Sequence, residues 1–200
     1  TWTAGHDFAN PPTATYQLAD TPLRNLVAHG SFGWNRYRGK LGPWQTAGAK
    51  TAKIIHGPGG IVKSYTTRDT VIGAGVQMSG ATEDRIEQAV LGIRPNQQYD
   101  LCAWVKCKDG AKMALDLRGV HGVKPHAESS ASGEWQLLTA RFTTGALGDL
   151  GGVAVVAVTK TGPGIGFVDD IALVGVVKGM APKLPGFAPL PPKKAPKPVL

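Results

Sequence analysis

The stretch QAVLGIRPNQQYDLCAWVK, residues 88–106, contains two apolar segments separated by a turn. Pro95 and Asn96 mark that turn, because both residue types favour the backbone angles of turns. In the second segment apolar and polar side chains alternate, which is the pattern of a half-buried β-strand. A further apolar segment of the same kind, GIGFVDDIAL, covers residues 164–173. The two regions predict long strands that face a common core.

The rest of the chain also favours strands over helices. Among 200 residues there are 27 glycines and 15 prolines, and no window keeps a sustained helical spacing of apolar residues. The sequence predicts ten strands, at 24–29, 51–56, 61–66, 70–79, 85–92, 98–106, 111–118, 134–143, 152–158 and 165–174. Glycine- and proline-containing turns separate them. We therefore predict an all-β jelly-roll sandwich of two antiparallel sheets. An immunoglobulin-like sandwich is disfavoured because its Cys-Trp-Cys spacing is absent.

Composition divides the chain into three parts. Residues 1–22 are irregular and form a predicted N-terminal extension, and residues 23–176 form the predicted sandwich domain. Residues 177–200 are rich in proline and lysine, and contain five of the lysines behind the net charge of +8. Such a tail favours an extended polyproline conformation, as a spacer or as a strap on a neighbouring subunit.

The cysteines carry no disulfide signal. Cys102 and Cys107 lie on one predicted strand, on opposite faces and about 16 Å apart, which is too far for a bridge. We expect both to be buried free thiols. No run of 18 apolar residues is present, so no membrane span is predicted.

The sequence gives little support for catalysis. The five histidines show no tight metal-binding spacing, and the only candidate nucleophile turn, GSFG at 30–33, lacks a glycine two residues before its serine. The carboxylates are numerous, but nothing in their order selects a pair for glycoside hydrolysis. We therefore expect a protein that is not an enzyme. A lyase or hydrolase acting on a sheet face is the least favoured alternative.

Together with NLVAHGSF at residues 25–32, the two long strands resemble parts of a known family. They are similar to the start, middle and end of the jelly-roll, galactose-binding-like carbohydrate-binding modules attached to secreted glycanases. The resemblance covers roughly residues 23–176. It implies a secreted, extracellular or surface protein that binds polysaccharide without cleaving it.

Trp104 is the first predicted ligand contact. Alternation places it with Cys102 and Lys106 on the face opposite Leu101. An exposed indole offers a flat apolar surface to a sugar ring, and in the resembled modules an aromatic side chain at such a point stacks on sugar. The alternative is that Trp104 packs beneath a loop or against the N-terminal extension.

A second group of predicted contacts follows the first strand. Trp34 and Tyr37 are predicted to stack on sugar, and Asn35, Arg36 and Arg118 to donate hydrogen bonds to it. The two loop arginines, at 36 and 38, would also suit a carboxylated or sulfated glycan. Nucleic acid is not an expected partner, because no known single-strand-binding pattern accompanies the aromatic residues.

The resemblance also implies one structural calcium ion. In the resembled modules a last-strand aspartate, here Asp169, binds calcium with residues after the first strand, here around Gly30. The family often has asparagine at the position of His29 and an acidic residue at that of Gly33, so this chain lacks one expected carboxylate. The alternative is that Asp169 caps backbone N–H groups or pairs with a base such as Arg24.

Alternation within the last strand places Phe167 and Asp169 on the same side as the apolar residues Ile171 and Leu173. The resemblance further implies that Trp44 belongs to the core and that Trp135 is a packing residue.

A structural role is the main rival to sugar binding. Residues 1–22 and 178–200 could contact neighbouring copies of the chain in a filament, a surface layer or a virion shell. Such an assembly protein would keep the jelly roll and have no sugar function.

Overall fold

The computed structural model describes residues 25–30, 32, 40–56, 74–130, 133–146 and 153–176. These residues form ten strands: β1 Gln45–Gly48, β2 Lys53–His56, β3 Ala74–Met78, β4 Asp84–Val90, β5 Gln98–Lys108, β6 Lys112–Arg118, β7 His126–Glu128, β8 Trp135–Thr143, β9 Ala154–Thr161 and β10 Ile165–Gly175. In this part of the chain there is no helix that could span a membrane. The strand predicted at 61–66 and the two chain ends invoked for assembly lie outside the described residues.

The strands form two antiparallel sheets of five strands each. The first sheet has the order β1-β4-β9-β6-β7, and the second has the order β2-β3-β10-β5-β8. Neighbours in sequence thus often lie in different sheets, so that the chain crosses repeatedly between the two layers. The predicted all-β sandwich is confirmed.

The core lies between the inner faces of the two sheets. Leu101, Ala103 and Val105 of β5 face Met113, Leu115 and similar residues of the first sheet, and all are almost fully buried. Each large apolar side chain removed from water contributes about 1.5–3 kcal/mol. Trp44 lies in this core at 4% exposure, as predicted.

Residues 25–30 do not form the strand predicted at 24–29. They form bends and a turn that run along β10, where the Leu26 amide donates to the Leu173 carbonyl at 2.9 Å. The side chain of Gln88 holds the same segment, because it accepts from the Ala28 amide at 2.7 Å and donates to the Ala28 carbonyl at 2.8 Å. The chain entering the domain is therefore fixed to both sheets.

A β-bulge changes the alternation within β10. The register with β5 shifts between Asp169 and Ala172, and Asp170 has a positive φ of 49°. Simple alternation predicted Asp169 on the same side as Ile171 and Leu173, and this was wrong. The extra residue of the bulge shifts the alternation by one position. Asp169 therefore lies on the outer face, while Ile171 and Leu173 enter the core.

Candidate functional site

Three aromatic side chains lie together on the outer face of the second sheet. In one cross-strand row Lys106 of β5 pairs with Phe167 of β10 on one side and Trp135 of β8 on the other. In the next row Trp104 pairs with Leu137 of β8. We call the surface formed by these five residues the aromatic face.

The aromatic residues of this face are accessible in part. Trp104, Trp135 and Phe167 are all half-buried. Phe167 and Trp135 lie on strands that flank β5, so at a strand spacing of about 4.8 Å their backbones are roughly 10 Å apart. This separation is comparable with the length of a disaccharide.

The structure adds two aromatic side chains to this face that were not among the predicted ligand contacts. The sequence resemblance led us to interpret Trp135 as a packing residue, and Phe167 was expected on the apolar side of its strand. Both instead occupy the outer row with Lys106. They could have been identified only from their register with Lys106 of β5, next to Trp104 on the same face. That register can be known only if β8 and β10 are known to flank β5.

Basic and polar side chains continue the same surface. Gln77 of β3 pairs with Phe167, and Lys53 of β2 pairs with Gln77, which extends the row across all five strands. Lys108 lies next to the row, and its Nζ is 5.9 Å from the centre of the Phe167 ring. At this distance the ammonium interacts favourably with the ring face.

Beside Trp104 the outer face changes character and becomes buried. Cys102, Ala172, Val174 and Val176 form a separate apolar cluster, against which Leu137 packs. Burial, followed by the charges of nearby carboxylates, raises the pKa of the Cys102 thiol to about 12. Both cysteines are free and buried, as predicted, and the Cys102 thiol is unreactive at neutral pH.

The outer face of the first sheet is polar. Glu87 accepts a hydrogen bond from Arg118 at 2.8 Å, and Arg85 Nε forms an ion pair with the same carboxylate at 3.1 Å, beside the small side chain of Ala157. We call this surface, with Asp116 and the residues paired to it, the charged face. A pocket of about 740 Å³ opens at its end, lined by residues 116–120 and 122–126.

A histidine between two carboxylates completes the charged face. His126 Nδ1 lies 2.6 Å from Asp116, and its Nε2 lies 3.3 Å from Glu128. The hydrogen bond to Asp116 is the main cause that raises the pKa of His126, and both carboxylates add to it by their charge. The imidazolium form is therefore more favoured than in a free histidine, and its charge would offset those of the two carboxylates.

The structure separates the predicted ligand residues. Trp104 lies on the outer face of the second sheet, and Arg118 lies on the outer face of the first. Because a whole sandwich lies between them, the two cannot contact the same short oligosaccharide. The predicted loop contacts Trp34, Asn35, Arg36 and Tyr37 lie outside the described residues.

Asp169 has an environment that a hard cation would fit. Its carboxylate is fully buried, with Oδ1 accepting from the Asp170 amide at 2.7 Å and Oδ2 lacking a hydrogen bond among the described residues. Burial, with the neighbouring Asp170, raises the pKa of Asp169 well above its usual value. The Gly30 carbonyl is also near this strand position, because it accepts a hydrogen bond at 3.1 Å from the amide of Ile171, two residues after Asp169.

The donor set near Asp169 is nevertheless sparse. Calcium takes six to eight oxygen ligands, and the described residues contain no group of three or more metal-binding side chains. Backbone carbonyls and water would have to supply most of the ligands beside Asp169. Calcium at Asp169 and Gly30 thus stays a prediction.

Sequence comparison alone assigns no family, since no family model and no curated protein match the chain. Solved structures do match. The carbohydrate-binding module TmCBM61, determined in complex with β-1,4-galactotriose, is 21% identical with a TM-score of 0.54, over 76% of this chain and 99% of that one. The enzymatically active domain of tailspike protein 4 from bacteriophage CBA120 is 10% identical with a TM-score of 0.54, over 76% of this chain but only 21% of that one.

A further match is a family 16 carbohydrate-binding module, at 17% identity and a TM-score of 0.48, over 75% of this chain and 99% of that one. The two matches with a TM-score of 0.54 establish the architecture, and their low identities leave the ligand open. The chain has the jelly-roll fold of carbohydrate-binding modules, which confirms at the level of the fold the resemblance that the sequence predicted.

Proposed function

We propose that this chain is a non-catalytic module that binds polysaccharide on its aromatic face, in a secreted or extracellular protein. One observation carries the proposal: Trp104, Trp135 and Phe167 lie in two neighbouring rows of one sheet, and each residue is partly exposed. The fold shared with a galactotriose-binding module supports it.

The physical basis is stacking on preorganised rings. A pyranose presents a weakly polar face of C–H groups, which loses little hydration when it covers an aromatic ring. The rings are held by their strands, so binding orders few protein groups and this lowers its entropic cost. A shallow surface with three rings suits an affinity of about micromolar to millimolar.

The same surface is poorly suited to hydrolysis. Glycosidases use a pair of carboxyl groups on either side of the scissile bond. In the two aromatic rows the one carboxylate is that of Asp169, which is fully buried beside Trp104. A group without access to substrate or water cannot act as acid or base there, and this supports binding without cleavage.

Single substitutions on the two outer faces test the proposal. Affinity electrophoresis and calorimetry against a panel of soluble polysaccharides should show binding by the wild type, and Trp135→Ala and Trp104→Ala should each weaken it at least about tenfold. Arg118→Ala removes an exposed side chain of the charged face, and its affinity should equal that of the wild type. Circular dichroism and urea unfolding confirm that each variant is folded.

Two results would contradict the proposal. Loss of binding in Arg118→Ala, with binding retained in both tryptophan variants, would move the site to the charged face. Absence of binding by the wild type to every polysaccharide in the panel would remove the sugar-binding function itself.

A further inference from the structure

We infer that the polysaccharide bound by the aromatic face is anionic, and that Lys53, Lys106 and Lys108 contact its carboxylate or sulfate groups. The inference rests on the proposed function and names its ligand class.

The first step is the charge of the aromatic face and its margin. Lys53 and Lys108 are exposed and Lys106 is half-buried, all on the outer side of the second sheet. Among the described residues, none of the three forms an ion pair with a carboxylate. Three cations therefore stand next to the rings without local neutralisation.

The strand carboxylates on this side do not compensate for the lysines. Asp169 and Asp170 of β10 are 0% and 5% exposed, so neither carboxylate is presented to a ligand. Asp100 is 1% exposed and accepts from both Nε and Nη2 of Arg141 at 2.7 Å. Two of these carboxylates are thus hidden and the third is already paired, so the surface presented to a ligand is positive.

The second step is the order of groups along the row. From β2 to β8 the outer row runs Lys53, Gln77, Phe167, Lys106, Trp135. At about 4.8 Å per strand it spans roughly 19 Å, the length of several sugar units. Because a lysine lies between the two rings, a chain stacked on both rings passes directly over an ammonium group. A ligand with acidic groups on its sugars matches this alternation.

On the charged face, by contrast, the basic side chains form ion pairs with carboxylates. Arg85 and Arg118 both pair with Glu87, and His126 pairs with Asp116. A ligand would have to compete with these internal partners. The lysines of the aromatic face have no such competition, and a compact ammonium is a suitable point contact for an anionic group.

Single-stranded nucleic acid is the competing polyanion, because bases also stack on aromatic rings beside basic groups. We favour polysaccharide because the fold is that of TmCBM61, determined with a bound galactotriose. The experiment includes nucleic acid as an arm.

Matched pairs of ligands test the inference. The anionic probes are polygalacturonate, alginate, hyaluronan and chondroitin sulfate, and the neutral probes are fully methyl-esterified polygalacturonate and β-1,4-galactan. All titrations contain EDTA, to prevent calcium cross-linking. The wild type should bind at least one anionic probe at least about tenfold more tightly than the neutral ones, and that preference should shrink as salt shortens the screening length from about 10 Å to 3 Å.

Charge-matched variants separate a specific contact from the net charge of the chain. Lys106→Gln should weaken binding of the anionic probe about three- to tenfold and leave stacking on neutral probes almost unchanged. Lys112→Gln removes an exposed lysine from the first sheet, and should match the wild type. Trp135→Ala should weaken anionic and neutral probes alike.

The outcomes distinguish the inference from the proposed function. Equal affinity for neutral and anionic probes overturns the inference and leaves polysaccharide binding intact. Equal losses in Lys106→Gln and Lys112→Gln overturn it as well, because they reveal attraction without a site. Tighter binding of a single-stranded oligonucleotide than of any polysaccharide also overturns it. Absence of binding to all polysaccharides removes the proposed function and the inference together.

Discussion

The two outer faces of the sandwich come from similar strands but differ in how their polar groups are used. On the charged face Glu87 forms ion pairs with Arg85 and Arg118, and His126 lies between two carboxylates, so these charged groups are paired with one another. On the aromatic face the rings are partly exposed and Lys106 has no ion-pair partner among the described residues. Under the proposed function, the ligand-binding face is distinguished by partly exposed aromatic residues and by lysines outside ion pairs, and not by the number of its charged residues.

The largest expected effect is on stability, when a lysine is placed at a buried position of one outer face and at a half-buried position of the other. Val174 belongs to the buried cluster on the second sheet, whereas Val155 is only half-buried on the first. Val174→Lys should destabilise the fold by at least about 3 kcal/mol, because it buries an ammonium opposite Asp100, whose carboxylate is already bound by Arg141. Val155→Lys should cost less than about 1 kcal/mol. Urea unfolding measures both, and similar losses would show that the two outer faces do not differ in burial.

The next largest expected effect is the loss of stability when an ion pair is broken, compared for one pair from each sheet. Arg141 binds the buried Asp100 carboxylate through two hydrogen bonds, whereas the Arg118–Glu87 pair is largely exposed. Arg141→Gln should cost about 2 kcal/mol, since a buried charge loses its principal donors. Arg118→Gln should cost about 0.2–1 kcal/mol. If the two variants lost equal stability in urea unfolding, the Asp100 pair would be no more important than a surface pair.

Calcium provides a third test, at the buried acid next to Trp104. With calcium at ten times its Kd, binding would add about 1.4 kcal/mol to the stability at neutral pH. Asp169→Asn should abolish that gain, because the amide supplies no charge to the ion. Thermal unfolding in calcium and in EDTA measures the difference. The prediction is wrong if wild type and variant respond equally to calcium.

The pH dependence of the same variant has a defined sign. In EDTA the pKa of Asp169 is raised in the folded state, so its contribution is fully present below the unfolded carboxyl pKa of about 3.9 and is lost as pH rises through the folded value. Asp169→Asn should therefore lose less stability than the wild type between acid and neutral pH. Calcium, which requires the ionised carboxylate, should oppose this trend in the wild type and have no such effect in Asp169→Asn.

Much of the fold could be predicted from alternation within single strands. The burial of Leu101, Ala103 and Val105 and the outward position of Trp104 in β5 follow from a period of two, and the structure confirms them. Two strands were missed. β1 and β7 are short, Gln45–Gly48 and His126–Glu128, and contain almost no strongly strand-forming residues. Their pairing with β4 and β6 holds them in place.

The candidate site was less predictable because it depends on pairing between distant strands. Trp135 and Phe167 flank Lys106 only because β8 and β10 both pair with β5 in one register. Alternation inside one strand contains no information about that register. The bulge at Asp170 adds a local reversal that apolar periodicity does not show. For the same reason Arg118 could be grouped with Trp104 in the sequence, although they occupy opposite faces.

The smallest expected effect concerns the charged face alone. Because the pKa of His126 is raised in the folded state, its ion pairs stabilise the fold below the unfolded histidine pKa of about 6.5, and this is lost as pH rises through the folded value. His126→Gln should therefore cost about 0.2–1 kcal/mol more in acid than in alkaline buffer, since the pair is exposed. His121→Gln, in the neighbouring loop, is the control. Urea unfolding at both pH values measures the difference, and polysaccharide affinity should be the same as for the wild type. A pH-independent loss would show that His126 contributes packing and no charge, and reduced affinity would mean that the charged face takes part in binding.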